Sequence, residues 1–301
     1  MTALDESSSV SAESVSDAVE SPRRRFLRRF RGRRAALISA VFLLVITVVG
    51  LLAPLIAPHD PLVQDLTARR LPPLSDGYLL GTDNLGRDTL SRLMYGMRVA
   101  VSAAAISVSV GLVIGVVPAL VAGFLGKRWD AVISRIADAF LSFPPLLLAM
   151  AIVGVMGPNL TNAMIAIGIV FAPRFYRVVR GAVIAVREDT FIEASRSIGT
   201  PTGRIIRTHV LPHIFSPLIV QVSLACGFAM LAESSLSFLG LGVQPPDPSW
   251  GRMLAEGREA WNYTPWPVLI PAIAIILAVL ACNTLGDGIR DSVGRENRSE
   301  R

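Results

Sequence analysis

Residues 35–57, AALISAVFLLVITVVGLLAPLIA, form a run of 23 residues without a charged side chain. At about 1.5 Å of rise per residue, a helix of this length crosses a hydrocarbon core of roughly 30 Å. The run is too long for the apolar part of a signal peptide, which has about 7–15 residues. We therefore predict a first transmembrane helix at residues 35–57.

The residues before this run divide into two parts. Residues 1–22 carry five acidic and no basic side chains, a composition that predicts a disordered tail. Residues 23–34 contain eight arginines. An arginine-rich flank beside an apolar run is typical of the cytoplasmic end of a span and of contact with anionic membrane lipid.

Further uncharged runs follow at residues 99–126, 139–173, 208–232 and 260–286. The second of these is long enough for a helical hairpin broken at Gly157. Only 17% of all residues are charged, against about 25% in soluble domains, so much of the surface faces lipid. We predict an all-α polytopic membrane protein with about six transmembrane helices.

The basic residues support one orientation. With the N-terminus inside, the cytoplasmic segments hold 22 of the 29 Lys and Arg residues, as the positive-inside rule requires. Both termini are then cytoplasmic, and the net charge of +6 requires no nucleic-acid partner. The predicted organisation is a tail with its flank at 1–34, the first helix, an external loop at 58–98, a five-helix core at 99–292 and a cytoplasmic tail at 293–301.

Residues 187–212, on the predicted cytoplasmic side, carry helix-capping signals. Thr190 followed by Glu193 is a capping box, in which both side chains satisfy amides of the first helical turn. Gly199 suits the left-handed position that ends a helix. These signals predict a short helix after residue 190.

A second short helix is predicted directly after the first. Thr200 is the expected N-cap and Pro201 the first helical residue, and Pro212 is expected to end the helix where the chain re-enters the membrane. Either this segment is a well-capped connection or it has a task of its own, and its length favours a task.

The segment resembles the EAA loop of binding-protein-dependent ABC importer permeases. The family pattern is E-A-A, three residues, G, nine residues, then I-x-L-P. The residues that carry the resemblance are Glu193, Ala194, Ser195, Gly199, Leu211 and Pro212. Two positions depart from the pattern, because Ser195 replaces Ala and His209 replaces Ile.

The resemblance implies that these six residues belong to a coupling helix and its flanks, which dock on a cytoplasmic ATPase. Ala194 and Ser195 are small enough for close helix approach, and Gly199 allows a tight turn. Glu193 either helps to transmit ATPase closure or only caps the helix.

Three other segments, at residues 80–96, 232–251 and 283–291, resemble C-type permeases for dipeptides and oligopeptides. With the EAA-like loop they extend the resemblance over residues 35–292. It implies the type I ABC importer permease fold, with a cytoplasmic coupling helix.

The external motifs leave alternatives open. Residues 81–88 either help to seat an external binding protein or form a structural network, in which Asp83 and Asp88 cap helices or pair with Arg87 and Arg92. Trp250 lies either in the aromatic belt at the membrane interface or against a partner permease.

The resemblance further implies partners and a function. The expected partners are a second homologous permease, two ABC ATPase subunits or domains, an external substrate-binding protein and membrane lipid. The expected function is import of dipeptides or oligopeptides by alternating access in the bacterial inner membrane. A sister importer for nickel complexes or glutathione is the alternative ligand assignment.

No catalytic motif accompanies these segments. The sequence lacks a phosphate-binding GxxxxGK[ST] loop, so ATP and Mg²⁺ are expected on partner chains, with no cofactor or metal in this one. An ion-coupled secondary transporter is the alternative from another class. Ionisable residues inside spans are typical of such carriers, and Glu233 is the nearest approach to one here.

Overall fold

The computed structural model describes residues 28–293. The predictions for the acidic tail at residues 1–22 and for residues 294–301 lie outside this range. The described part is helical with no strand, which confirms the all-α prediction. Its α-helices are α1 (Arg34–Ile56), α2 (Thr89–Leu125), α3 (Lys127–Leu141), α4 (Pro145–Met156), α5 (Leu160–Arg187), α6 (Thr190–Ser197), α7 (Thr202–Ile205), α8 (Leu211–Phe238), α9 (Trp250–Gly257) and α10 (Trp266–Val293).

The first helix, α1, occupies the apolar run that follows the arginine-rich flank. Most of its large apolar side chains are exposed, and Leu55 reaches 82%, as expected of a helix whose surface meets lipid. One face packs on α2 at Gly50, where an added Cβ would lie 2.7 Å from the Arg98 amide nitrogen. The helix is therefore attached to the bundle through a close backbone contact.

The centre of the bundle is the packing of α2 against α5. An added Cβ on Gly115 would lie 2.5 Å from the Ala172 carbonyl oxygen, and one on Gly168 would lie 2.6 Å from Val110 Cβ. Small residues at these crossings let two backbones approach closely, which is how helices associate in lipid.

The second helix begins ten residues before the predicted apolar run. Asp88 is its N-cap and accepts a hydrogen bond from the Ser91 amide at 2.9 Å. The resulting helix has 37 residues, or about 55 Å, so its first turns extend beyond the hydrocarbon core. The polar start was missed as helix because the prediction used uncharged length alone.

The number of spans agrees roughly with the six predicted. Four helical stretches are long and apolar enough to cross a membrane alone: α1, α2, the stretch Thr202–Phe238 and α10. The pair Arg128–Leu141 and Pro145–Met156, bent by 94°, adds a fifth if its two helices form one broken span. With α5 the set has six elements.

The predicted hairpin break at Gly157 is confirmed. α4 ends at Met156, Gly157 has φ +90°, and Asn159 caps α5 by accepting from the Asn162 amide. However, α4 has only 12 residues, too few to span alone. The amphipathic α3 precedes it and pairs with α5, for example through Arg177 and Asp138 at 2.8 Å.

Candidate functional site

The segment at residues 187–212 lies at one end of the bundle and connects α5 to α8. It contains α6, α7 and a π-helical turn, Ile206–Val210. Three apolar side chains of the segment and one directly after it are almost fully buried against α2 and α5; they are Ile192, Ile205, Val210 and Ile214. This anchoring connects the segment to the transmembrane core.

Helix α6 begins as a short helix near the predicted residue, but the capping box is not formed. Asp189 is the N-cap and Thr190 is the first helical residue, with no side-chain capping hydrogen bond. The Asp189 carbonyl instead accepts from the Ile192 amide at 3.0 Å. The prediction of Thr190 as N-cap is wrong by one residue, a shift that local sequence signals do not resolve.

The end of α6 is a Schellman motif centred on Gly199. Gly199 has φ +78°, and its amide donates to the Arg196 carbonyl at 2.9 Å. The Thr200 amide donates to the Ser195 carbonyl at 3.1 Å. These are the two bonds that satisfy the last carbonyls of a helix when the following residue is left-handed, so the predicted role of Gly199 in the turn is confirmed.

The second short helix differs from its prediction at both ends. Pro201, rather than Thr200, is the N-cap of α7. Pro212 does not end the helix, because the helical stretch Thr202–Phe238 is continuous. In the π-helical turn the Leu211 amide donates to the Ile206 carbonyl, five residues back. This wider turn before Pro212 accommodates a residue that has no amide hydrogen.

The predicted site residues occupy two places. Glu193, Ala194 and Gly199 are exposed on and after α6, and Ser195 is half-buried. The Ser195 hydroxyl donates to the Phe191 carbonyl at 2.8 Å, within its own helix. Leu211 and Pro212 are the first two residues of α8 and are also exposed.

A contact that the sequence analysis missed connects these two places. The Phe191 ring stacks on the His213 ring, with centroids 5.4 Å apart, and lies 5.7 Å from the His209 ring. The only available signal was the spacing of the two histidines by four residues, which places them on one helical face. Their common partner is an aromatic ring, and residues 28–293 hold no group of three His, Cys, Asp or Glu side chains suited to a metal.

The surface of α6 combines one buried anchor with exposed apolar groups. Ile192 is the buried residue of the helix. Ile198, directly after it, is 83% exposed, and Phe191 is 37% exposed. Phe191 and Ile198 are thus large apolar side chains that α6 and the turn after it leave exposed.

Basic residues connect this segment to the end of α2. The Arg187 guanidinium donates to the Gly123 carbonyl at 3.1 Å, and the Arg196 guanidinium lies 4.8 Å from the centre of the Phe124 ring. A cation at a helix C-terminus is favourable, because the carbonyls there carry partial negative charge. Movement of α6 would therefore be transmitted to α2 through these contacts, as well as to α5 and α8.

At the opposite end of the bundle, the charged residues of the 81–88 motif form the structural network. The Arg87 guanidinium donates to Asp83 at 2.6 Å. Glu256 of α9 accepts from Arg87 at 2.6 Å and from Arg92 at 2.8 Å. Sequence analysis missed Glu256, which is more than 160 positions away. The network attaches α9 to the start of α2.

Trp250 has neither of the predicted locations. It is 1% exposed, and its indole nitrogen donates to the Leu93 carbonyl at 3.1 Å. Gly96 leaves room for the ring, since a Cβ there would lie 2.5 Å from Trp250 Cδ1. The side chain packs within this chain, against α2.

Glu233, the acidic residue inside α8, is buried and hydrogen-bonded. The hydroxyls of Ser237 and Ser234 donate to its carboxyl group, at 2.6 Å and 3.3 Å. Ser237 also accepts from the Val243 amide at 3.0 Å. This arrangement fixes the chain as it leaves α8.

Comparisons with known proteins agree with the resemblance. A family model described as binding-protein-dependent transport system inner membrane component matches residues 111–299. A second, described as the N-terminal TM domain of oligopeptide transport permease C, matches residues 21–73.

Curated relatives match along nearly their whole length. A di/tripeptide transport system permease of Pseudomonas aeruginosa is 43% identical, over 91% of this chain and 92% of the relative. A dipeptide transport system permease of Alkalihalophilus pseudofirmus is 39% identical, over 93% and 91%. A glutathione transport system permease of Escherichia coli is 40% identical, over 92% and 91%.

A solved structure shares the fold. A chain of the inward-facing MetNI methionine ABC transporter aligns with a TM-score of 0.56 at 19% identity, covering 67% of this chain and 96% of that chain.

Proposed function

The chain belongs to the family of binding-protein-dependent ABC importer permeases, within the dipeptide and oligopeptide group, and from this premise we propose that it carries short peptides inward. It is a non-catalytic, multi-pass subunit of the inner membrane, and family membership implies ATPase and binding-protein partners. The ion-coupled carrier considered as an alternative is thereby set aside.

The peptide assignment rests on the named relatives, two of which transport dipeptides or di/tripeptides. The glutathione permeases, at 40% identity, favour a second candidate ligand. Glutathione is itself a tripeptide, so both candidates are short chains with charged ends.

The proposed mechanism is alternating access in a complex with a second homologous permease and two ATPase subunits or domains, which bind ATP and Mg²⁺. In the proposed orientation, residues 187–212 and both termini lie in the cytoplasm. The excess of basic residues on that side supports this orientation. ATPase closure moves α6, and Ile192 transmits the movement to the bundle.

The observation that carries the coupling role is the construction of α6. It exposes Ile198 at its end while Ile192 is fully buried, so one short helix presents a contact surface and is anchored to the core. Glu193, Ala194, Ser195 and Gly199 form the docking face and turn, and Leu211 and Pro212 form the entry of α8.

The docking proposal is tested with Ile198→Asp. A buried carboxylate at the contact is costly, so we expect the ATPase to be lost when this chain is purified in mild detergent through a tag. Leu79→Asp is the matched control, since Leu79 is 61% exposed at the opposite end of the bundle. Equal ATPase recovery with both variants would contradict the proposal.

The substrate is tested by uptake into cells that depend on this importer. We expect ATP-dependent uptake of labelled dialanine, competed by unlabelled di- and tripeptides. Competition by glutathione at much lower concentration would instead assign the chain to the glutathione importers. Uptake that persists without ATP and collapses with the proton gradient would refute the importer mechanism.

A further inference from the structure

A cavity of about 460 Å³ opens at the end of the bundle away from residues 187–212. It lies between the first turns of α2, the start of α5 and the loop after α8. Its volume is within the roughly 300–1,000 Å³ of small-molecule sites. The polar residues that line it are Tyr95, Arg98, Asn159, Gln244 and Asp247.

The cavity brings together one positive and one negative side chain. Arg98 comes from α2, one turn after Tyr95 on the same face, and Asp247 comes from the loop between α8 and α9. Within residues 28–293, neither side chain has an ion-pair or hydrogen-bond partner. In contrast, nearby Arg87 and Arg92 share Glu256. The charges of the cavity are thus available to a ligand.

The neutral residues add one donor and one acceptor. The Asn159 side-chain oxygen accepts from the Asn162 amide at 2.8 Å, which leaves its NH₂ group available. The Gln244 NH₂ group donates to the Gly240 and Gly242 carbonyls, at 3.0 Å and 2.9 Å, which leaves its oxygen available. A peptide bond offers the complementary acceptor and donor.

We propose that this cavity is a binding site for a short zwitterionic peptide, with Arg98 facing its carboxylate and Asp247 facing its ammonium group. The inference rests on the proposed function and adds a subsite to it. Charge-assisted hydrogen bonds are about twice as strong as neutral ones. The two opposite charges therefore favour a ligand with both ends free over one with a blocked end.

The test uses the whole importer, isolated from its native membrane through a tag on this chain. It is reconstituted in liposomes with saturating binding protein, and ATP-driven uptake of labelled dialanine is measured. We expect Arg98→Gln and Asp247→Asn each to lower the maximum uptake rate about tenfold, the loss expected from one charged hydrogen bond. Arg98→Lys and Asp247→Glu should retain most of the rate.

Two matched controls separate the cavity from external charge in general. Arg258→Gln and Glu259→Gln remove exposed charges on α9's side of the same end, and neither residue lines the cavity. Both should leave uptake unchanged. Binding-protein-stimulated ATP hydrolysis is recorded for every variant and should be retained by the cavity variants.

Each outcome is decisive. Normal dialanine uptake by Arg98→Gln and Asp247→Asn would overturn this inference and leave the peptide-importer function intact. Loss of stimulation by the binding protein would make the cavity a docking surface and would also overturn it. If the unchanged importer takes up no dialanine while its ATP hydrolysis responds to the binding protein, the peptide function fails, and this inference with it.

Discussion

At the scale of single residues, Gly199 is required for its backbone conformation, although the space around it would admit a side chain. Its φ is +78°, and nothing lies within 4 Å of an added Cβ. A side chain here therefore costs about 1–2 kcal/mol through the left-handed backbone, and a bulky one also covers the surface proposed to dock.

We expect Gly199→Trp to abolish ATP-dependent uptake and Gly199→Asn to retain at least half of it, since Asn tolerates left-handed backbone and is small. Gly203→Ala is the control, because Gly203 also has open space but no left-handed φ. Uptake per inserted importer, quantified by immunoblot, is the measurement. Normal uptake by Gly199→Trp would exclude a coupling role for this turn.

The surroundings of Glu256 predict how its replacement changes the stability of the chain. It accepts from Arg87, Arg92 and Arg252, and Arg92 is only 1% exposed. We expect Glu256→Gln to destabilise the chain by about 1–3 kcal/mol, because the guanidinium groups of Arg87 and Arg92 lose charged hydrogen bonds and keep only Asp83 as a counter-charge. Thermal unfolding in detergent measures this.

Glu259→Gln provides the comparison for that experiment. Glu259 is exposed, so its change should stay within about 0.5 kcal/mol. If both variants unfold at the temperature of the unchanged protein, the network does not stabilise the external end.

At the scale of helices, α6 is too short to be stable alone. It has eight residues, whereas isolated helices below about 12–15 residues are marginal in water. Burial of Ile192, the Schellman bonds and the Phe191–His213 stack hold it in place. A helix held by so few contacts can move as a unit with the groups it touches, which suits a mechanical connection.

The close packing of α2 against α5 predicts the effect of adding a methyl group at Gly115. We expect Gly115→Ala to lower stability by about 1–3 kcal/mol, because the new methyl group would meet the Ala172 carbonyl. Gly154→Ala, on α4 with nothing within 4 Å, should be neutral or slightly stabilising. Melting temperatures of the purified variants decide this, and equal values would argue against close packing.

At the scale of the whole molecule, the proposed orientation predicts which side each loop faces. Asp76→Cys and Thr202→Cys place thiols at exposed positions on opposite ends of the bundle. A membrane-impermeant maleimide should label Asp76→Cys in intact cells and Thr202→Cys only after permeabilisation. The native Cys226 and Cys282 lie within helices and serve as the unlabelled background. The reverse labelling pattern would invert the topology.

The amino-acid sequence by itself determined the approximate number of spans, the class of fold and the turn at Gly199. Each of these depends on neighbouring residues: an apolar run long enough for a bilayer, or a glycine after a short polar helix. The basic residues near the helix ends likewise predict an orientation. The EAA-like spacing predicts the coupling segment for the same reason, since all its residues lie within one stretch.

Only the tertiary structure decided which distant residues meet. Glu256 and Arg92 are 164 positions apart, Trp250 and Leu93 are 157 apart, and the Arg98–Asp247 cavity joins three separate elements. The helix cap at Asp189 and the π-helical turn before Pro212 also required it, because local sequence signals locate such ends only to within one or two residues. Long-range contacts depend on how helices cross, and crossing is set by side-chain shapes on both partners rather than by any local pattern.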